Sequence, residues 1–170
     1  VLCEKPLAPA TEDCIKVMDA EVKLGKRLIQ VGFMRRFDPA YVDMKNQLNS
    51  GKLGDALMLH CAHRNVASAS FWTSGMSVTN SAVHEFDVCR WLLDTEYKSI
   101  RVMAARQSRN SKFPEPLLII VETIAGQLID IEIFINAVYG YDVRTELVCE
   151  NGTVDMTPPS HAVTRVKGTA

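Results

Sequence analysis

Leu117-Leu118-Ile119-Ile120-Val121-Glu122-Thr123-Ile124, then Ala125-Gly126-Gln127, then Leu128-Ile129-Asp130-Ile131-Glu132-Ile133-Phe134 reads as two strands joined by a short turn. A glycine-containing turn between two β-branched runs predicts a hairpin, and so a sheet in which neighbouring strands run antiparallel. Further strands are predicted on both sides. Ala56 to His63 alternates apolar and polar residues, and Ser99 to Ala105 and Val143 to Cys149 have strand composition. Asn151-Gly152 lies between Val148 and Val154, and both residues tolerate positive φ, which predicts a second hairpin. The tail from Thr157 to Ala170 carries Pro158-Pro159 and lacks the features of a domain's last element.

Upstream the pattern changes. Val1-Leu2-Cys3 is a short strand candidate. A helix follows from about Glu12 to Leu24, with Glu12 and Asp13 in its first turn, Lys23 near its last and Gly25 just past its end. Its apolar stripe is Ile15, Met18 and Val22. The run Leu28 to Phe33 is a second strand, so the order is strand, helix, strand, with short connections that imply a parallel pair and a right-handed crossover. Asp38 as N-cap and Pro39 at the first helical position then open a helix through about Asn49, closed by Ser50-Gly51. The expected fold class is α+β: an open, mostly antiparallel or mixed sheet with helices on one face, preceded by a βαβ piece at residues 1–33.

Hydrophobic content of 47% and charged content of 23% fit an ordinary globular chain. The formal net charge is −1 without a Lys/Arg run, so neither a nucleic-acid nor a membrane-surface role has an electrostatic footprint. The richest apolar run, Pro116 to Ile124, is interrupted by Glu122 and falls short of the roughly 18 apolar residues a bilayer span needs. Five cysteines at irregular spacing argue against a disulfide framework or zinc ribbon and fit reduced cytosolic thiols. The chain starts on Val1 with no signal-peptide pattern and reads as the middle of a longer polypeptide.

The chemistry-bearing stretch is Thr79-Asn80-Ser81-Ala82-Val83-His84-Glu85-Phe86-Asp87-Val88-Cys89-Arg90-Trp91-Leu92-Leu93. Helical spacing places Asn80, His84 and Asp87 on one face. An amide, an imidazole and a carboxylate are costly to bury without partners, so they are expected to face a cleft, the alternative being a satisfied core histidine with a capping Asn. Lys5 stands at the carboxyl end of the first strand, where open parallel sheets bind ligands, although a solvated surface lysine has the same signature. Arg35 follows the second strand in the same way, the alternative being that Arg35 and Arg36 form a basic surface pair. His63 and Asn65 end a strand on one face, and Tyr139 and Tyr141 share a face by the same rule, the alternative being an exposed sheet face. Together these groups suit an uncharged polyhydroxylated substrate, with His84 as a proton acceptor near neutral pH. No metal-ligand cluster and no GxSxG occur, which disfavours metal-dependent isomerase and hydrolase readings.

Glu4-Lys5-Pro6-Leu7, then Gly32 to Pro39, then Asn80-x-x-x-His84-x-x-Asp87 resemble the glucose–fructose oxidoreductase / inositol dehydrogenase / rhizopine catabolism family. The likeness is greatest to its inositol 2-dehydrogenases, through the stretch from Gly32 to Asp38, His63-x-Asn65 and Tyr139-Gly140-Tyr141-Asp142. The resemblance implies an enzyme that oxidises a secondary hydroxyl of a cyclic polyol such as myo-inositol, or of a sugar, by hydride transfer to NAD, or alternatively NADP. It makes residues 1–33 the end of a Rossmann domain and residues 34–170 a substrate-binding and oligomerisation domain, incomplete at its C-terminus. It implies that Glu4, Lys5 and Pro6 contact the cofactor, that Lys5, His84 and Asn80 are catalytic, and that Arg35, His63, Asn65, Tyr139 and Tyr141 position substrate. Asp87 would support the helix or orient a neighbour. A cytoplasmic homotetramer assembled through the open sheet is expected, with no metal, nucleic acid or membrane partner. The contrasting expectation is a non-catalytic binding or assembly domain of the same fold.

Two departures carry consequences. Position 80 is Asn where the family usually has Asp, so an amide replaces the charge that would orient and strengthen the imidazole. No GxGxxG occurs in the chain, and the resemblance implies roughly 90 to 100 preceding residues of nucleotide-binding units. The 170-residue piece alone is therefore expected to be inactive.

Overall fold

The computed structural model describes residues 1–157 and 161–166, with side chains described through Met156. Pro158 and Pro159 of the tail therefore lie outside the described residues, as does everything after Val166. The chain divides into two compact units, Val1–Met34 and Arg35–Ala170.

In the first unit, β1 (Leu2–Cys3) pairs in parallel with β2 (Gln30–Val31), and α1 (Thr11–Leu24) connects them. The βαβ reading holds, with strands shorter than expected. Gly25 ends α1 in the left-handed region at φ 64°, a conformation that favours glycine. The apolar stripe of α1 is not covered: Ile15, Met18 and Val22 are all exposed, and α1 contributes no buried residue.

The second unit is built on a seven-stranded sheet ordered β4-β5-β6-β3-β7-β8-β9. The strands are β3 (Ala56–Arg64), β4 (Tyr97–Ala104), β5 (Leu117–Thr123), β6 (Leu128–Phe134), β7 (Asp142–Cys149), β8 (Gly152–Thr157) and β9 (His161–Val166). The β5–β6 hairpin forms as expected, with Gly126 at φ 91° in its turn and Thr123 N donating to Gln127 O at 3.0 Å. The pairing of β3 is the departure from a simple run of hairpins. It inserts between β6 and β7, parallel to the first and antiparallel to the second, which makes the sheet mixed.

Two further expectations are corrected. β7 and β8 do form a hairpin, but neither Asn151 nor Gly152 adopts positive φ; Cys149 pairs with Gly152, so Glu150 and Asn151 make the turn. Gly54 carries the positive φ instead, at 72°, and a Cβ there would meet the Glu150 carboxylate at 2.6 Å. The tail also supplies a strand that the sequence reading lacked, because β9 pairs along the whole of β8.

The core follows from alternation along the strands. Leu59 and Cys61 of β3, Ile119 and Val121 of β5, Ile129, Ile131 and Ile133 of β6, and Leu147 of β7 point to one face and are buried. Helices α2 (Pro39–Asn49) and α4 (Val83–Leu93) complete that cluster with Tyr41 and Met44 and with Val88, Cys89 and Leu92. Each fully buried Ile or Leu contributes about 1.5–3 kcal/mol of transfer free energy. Asp38 caps α2 as expected, its side chain accepting from Ala40 N at 2.9 Å with Pro39 in the first turn. All five cysteines are thiols, and Cys61 and Cys89 meet across the core with their sulfurs 3.7 Å apart.

The opposite face of the sheet has no helix in the core cluster. It carries a cross-strand His60–Asp130 hydrogen bond and cross-strand ion pairs of Arg64, with Glu132 at 2.7 Å and with Asp142 at 3.0 Å. A concavity of about 720 Å³ on this face is lined by His60, Asp130, Glu132, Arg144 and Glu146, with Met103 at its apolar end.

Candidate functional site

Polar groups collect where β3 ends against the start of α4. Helix formation there begins earlier than the sequence periodicity implies. A short turn, α3 (Ser74–Met76), runs into a π-helical stretch over Ser77–Ala82, and only then does α4 begin. The π turn widens the backbone just before His84, a geometry that is frequent at functional sites. Asn80 lies within it and is half-buried, while His84 at the head of α4 is buried.

Alternation along β3 sends His63 to the helix-covered side, below Leu59 and Cys61. The imidazoles of His63 and His84 face each other with ring centroids 6.3 Å apart. Arg35 reaches the same place from the 3₁₀ turn Met34–Phe37, which turns one arginine inward and leaves the next half-exposed. Arg36 makes a two-pronged pair with Asp87, Nε to Oδ2 at 2.7 Å and Nη2 to Oδ1 at 2.5 Å. Asp87 therefore braces α4 against the segment that carries Arg35.

The group at the centre of this arrangement is Glu85, which the sequence reading did not single out. It is 1% exposed, forms an ion pair with Arg35 through Oε1, and stands 3.1 Å from His63 Nδ1. Arg35 Nη2 approaches the same His63 nitrogen at 3.2 Å. Burial by itself pushes the Glu85 carboxyl up, but the His63 hydrogen bond and the Arg35 charge outweigh it and hold it below the usual range. Two residues beneath the site also escaped the sequence reading. Tyr41 is fully buried and bonds Thr145 Oγ1 at 2.9 Å, and Asn136 accepts from Ser68 N at 2.8 Å while donating to Glu115 at 2.8 Å. Asn136 thereby pins the loop that follows Asn65.

Asn65 lies one residue beyond β3 but continues its ladder, with its N donating to Phe134 O and its carbonyl accepting from Ala137 N. The two tyrosines are corrected. They do not share a strand face: Tyr139 and Tyr141 lie in the turn before β7 around Gly140 at φ 148°, where strand alternation does not apply. Tyr141 sets its ring edge toward His63 at 6.4 Å, whereas Tyr139 packs edge-on against Phe134. Arg35, His63, His84 and Tyr141 are thus brought together, and Tyr139 is turned to another neighbour.

The family model for the GFO/IDH/MocA C-terminal domain matches residues 41–155, two-thirds of the chain. The chain belongs to the GFO/IDH/MocA family. Among its GFO/IDH/MocA relatives, inositol 2-dehydrogenase 1 of Saccharopolyspora erythraea is 50% identical over 170 residues, covering 99% of this chain and 50% of that protein. The inositol 2-dehydrogenase of Serratia proteamaculans is 47% identical over 163 residues, covering 94% and 48%. The chain spans about half the length of the curated relatives it matches. Among solved structures, myo-inositol dehydrogenase from Lactobacillus casei in complex with NAD(H) and myo-inositol superposes with a TM-score of 0.87 at 36% identity, covering 91% of this chain and 46% of that one.

Glu4, Lys5 and Pro6 belong to the first unit and follow the carboxyl end of β1, with the Lys5–Pro6 peptide cis. A Cβ at Gly32 would come within 3.4 Å of Cys3 O and 3.6 Å of the Glu4 carboxylate, so the ends of β1 and β2 close on each other there. This edge offers one ammonium and one carboxylate at the carboxyl end of a parallel pair. Open parallel sheets bind ligands at that edge, while the sequence holds no glycine-rich turn to cradle a dinucleotide's pyrophosphate.

Proposed function

We propose that this chain supplies the substrate-binding half of an NAD-dependent dehydrogenase that oxidises one secondary hydroxyl of a cyclic polyol of the myo-inositol type. The supporting observation is the pairing of His84 with His63 at the end of β3, where Arg35 and Tyr141 also converge. The 50% identity to an inositol 2-dehydrogenase supports the polyol class.

NAD, when bound, accepts the hydride that leaves the carbinol carbon. The proton of the same hydroxyl goes to the imidazole of His84, so that alcohol becomes ketone with one hydride and one proton removed. Arg35 and Tyr141 donate hydrogen bonds to substrate oxygens, His63 and Asn65 complete the ring of directional contacts, and Tyr139 closes the rim. Within the first unit Glu4, Lys5 and Pro6 hold the nicotinamide side, and residues 1–34 are read as the last βαβ piece of a nucleotide-binding domain. The uncovered Ile15-Met18-Val22 stripe supports that reading, since an amphipathic helix of such a domain packs on a larger sheet. The ion-paired face of the seven-stranded sheet is read as the surface through which copies assemble, as a tetramer in the cytoplasm. Among the described residues no helix is long and apolar enough to cross a membrane.

The test is nicotinamide reduction by the full-length protein across a panel of inositols, aldoses and sugar acids, with NAD and with NADP. Turnover of an inositol supports the reading. Cofactor binding without turnover of any inositol overturns the substrate class.

A further inference from the structure

Two groups compete for one nitrogen of His63. A guanidinium only donates, so Arg35 Nη2 at 3.2 Å suits a lone pair on Nδ1; a carboxylate only accepts, so Glu85 at 3.1 Å suits a proton there. The two neighbours select opposite tautomers of the ring. Arg35 already has Glu85 Oε1 as its partner through Nη1, whereas Glu85 Oε2 is turned to the His63 nitrogen, which favours the proton on Nδ1. Both hydrogen bonds of His63 among the described residues run through Nδ1, so Nε2 is the ring nitrogen left for a substrate, with the rings of His84 and Tyr141 beside it at centroid distances of 6.3 and 6.4 Å.

We propose that Glu85 is a positioning residue that fixes His63 in the Nδ1–H tautomer, so that Nε2 is presented as a hydrogen-bond acceptor for a substrate hydroxyl. The tautomer assignment stands on geometry; the identity of the hydroxyl rests on the function proposed above. A fixed acceptor at this point makes His63 a specificity element. It selects a substrate that can donate there, and it rejects a keto or fluoro analogue that can only accept, because two acceptors would then face each other.

The experiment is long-range ¹H–¹⁵N correlation of histidine-labelled full-length protein, with His63 assigned through the loss of its signals in His63→Gln. The expected spectrum of the neutral ring has a protonated Nδ1 and a bare Nε2, and Glu85→Gln shifts the balance toward Nε2–H. In kinetics, Glu85→Gln raises KM for myo-inositol by about 10–100-fold, with kcat changed far less, the loss of one charge-assisted hydrogen bond. Adding Glu85→Gln to His63→Ala produces little further change, and Glu85→Asp restores part of the affinity. A wild-type His63 carrying its proton on Nε2 or on both nitrogens overturns the proposal, and so does a tautomer that ignores Glu85→Gln. Because the wild-type tautomer needs only the His63 assignment, the test stands even if Glu85→Gln unfolds. A protein with Nδ1–H His63 that binds no inositol overturns the proposed substrate class and leaves the Glu85–His63 assignment in place.

Discussion

Arg35 and Glu85, 50 positions apart in the chain, form an ion pair whose side chains are 5% and 1% exposed. At such burial the desolvation of each charge is large and is offset only by the partner, so the pair is valuable intact and damaging when halved. Arg35→Ala or Glu85→Ala is expected to cost about 3–5 kcal/mol in urea unfolding at neutral pH. The double replacement Arg35→Met with Glu85→Leu should cost much less than the sum. Additive losses would show that the two charges do not depend on each other.

The same pair sets an acid limb. The Glu85 carboxyl is held below its ordinary value of 4.5, so its stabilisation is fully present above that value and is lost as pH falls through the lower folded value. The melting temperature of the wild type should therefore fall more steeply than that of Glu85→Gln as pH drops below about 4.5. Parallel acid limbs for the two proteins would remove Glu85 as a linked group.

Asn80 sits in the widened turn that precedes His84. Asn80→Asp places a carboxylate in that turn, which favours the protonated imidazole and makes the neutral form a stronger base. The acid limb of the pH–rate profile should move upward by about one unit, with a higher rate on the plateau. An unchanged profile would show that position 80 is not coupled to the imidazole.

Ile131 is fully buried in the middle of β6, registered with Cys61 on one side and Ile119 on the other. Ile131→Ala should cost about 2–5 kcal/mol, because neighbouring strands cannot close on the space left behind. A loss below that range would place the core elsewhere.

Much of the fold was legible because local chemistry determines it. Asp38-Pro39 carries its cap and its first-turn residue side by side, and the β5–β6 turn carries its glycine. The order of the strands was not legible, since β3 pairs with residues about seventy positions away in β6, and nothing in Ala56–Arg64 distinguishes a parallel from an antiparallel neighbour. The stripe of α1 was read correctly as apolar, yet no residue within Val1–Met34 covers it. Of the site, His84 and His63 were visible as polar residues in apolar elements. Glu85 was hidden beside His84, because its partners come from a 3₁₀ turn and a strand that no spacing rule connects to α4. The tyrosines misled for a related reason: alternation was applied to a turn, where Gly140 breaks it.

Proton transfer from the substrate hydroxyl to His84 is tested most directly by comparing His84→Ala with wild type for both inositol binding and single-turnover hydride transfer. The expected result is a rate loss of about 10²–10⁴-fold with binding changed far less, since the proton transfer is made only in the transition state. Equal losses in rate and in binding, or a rate that survives the substitution, would contradict it.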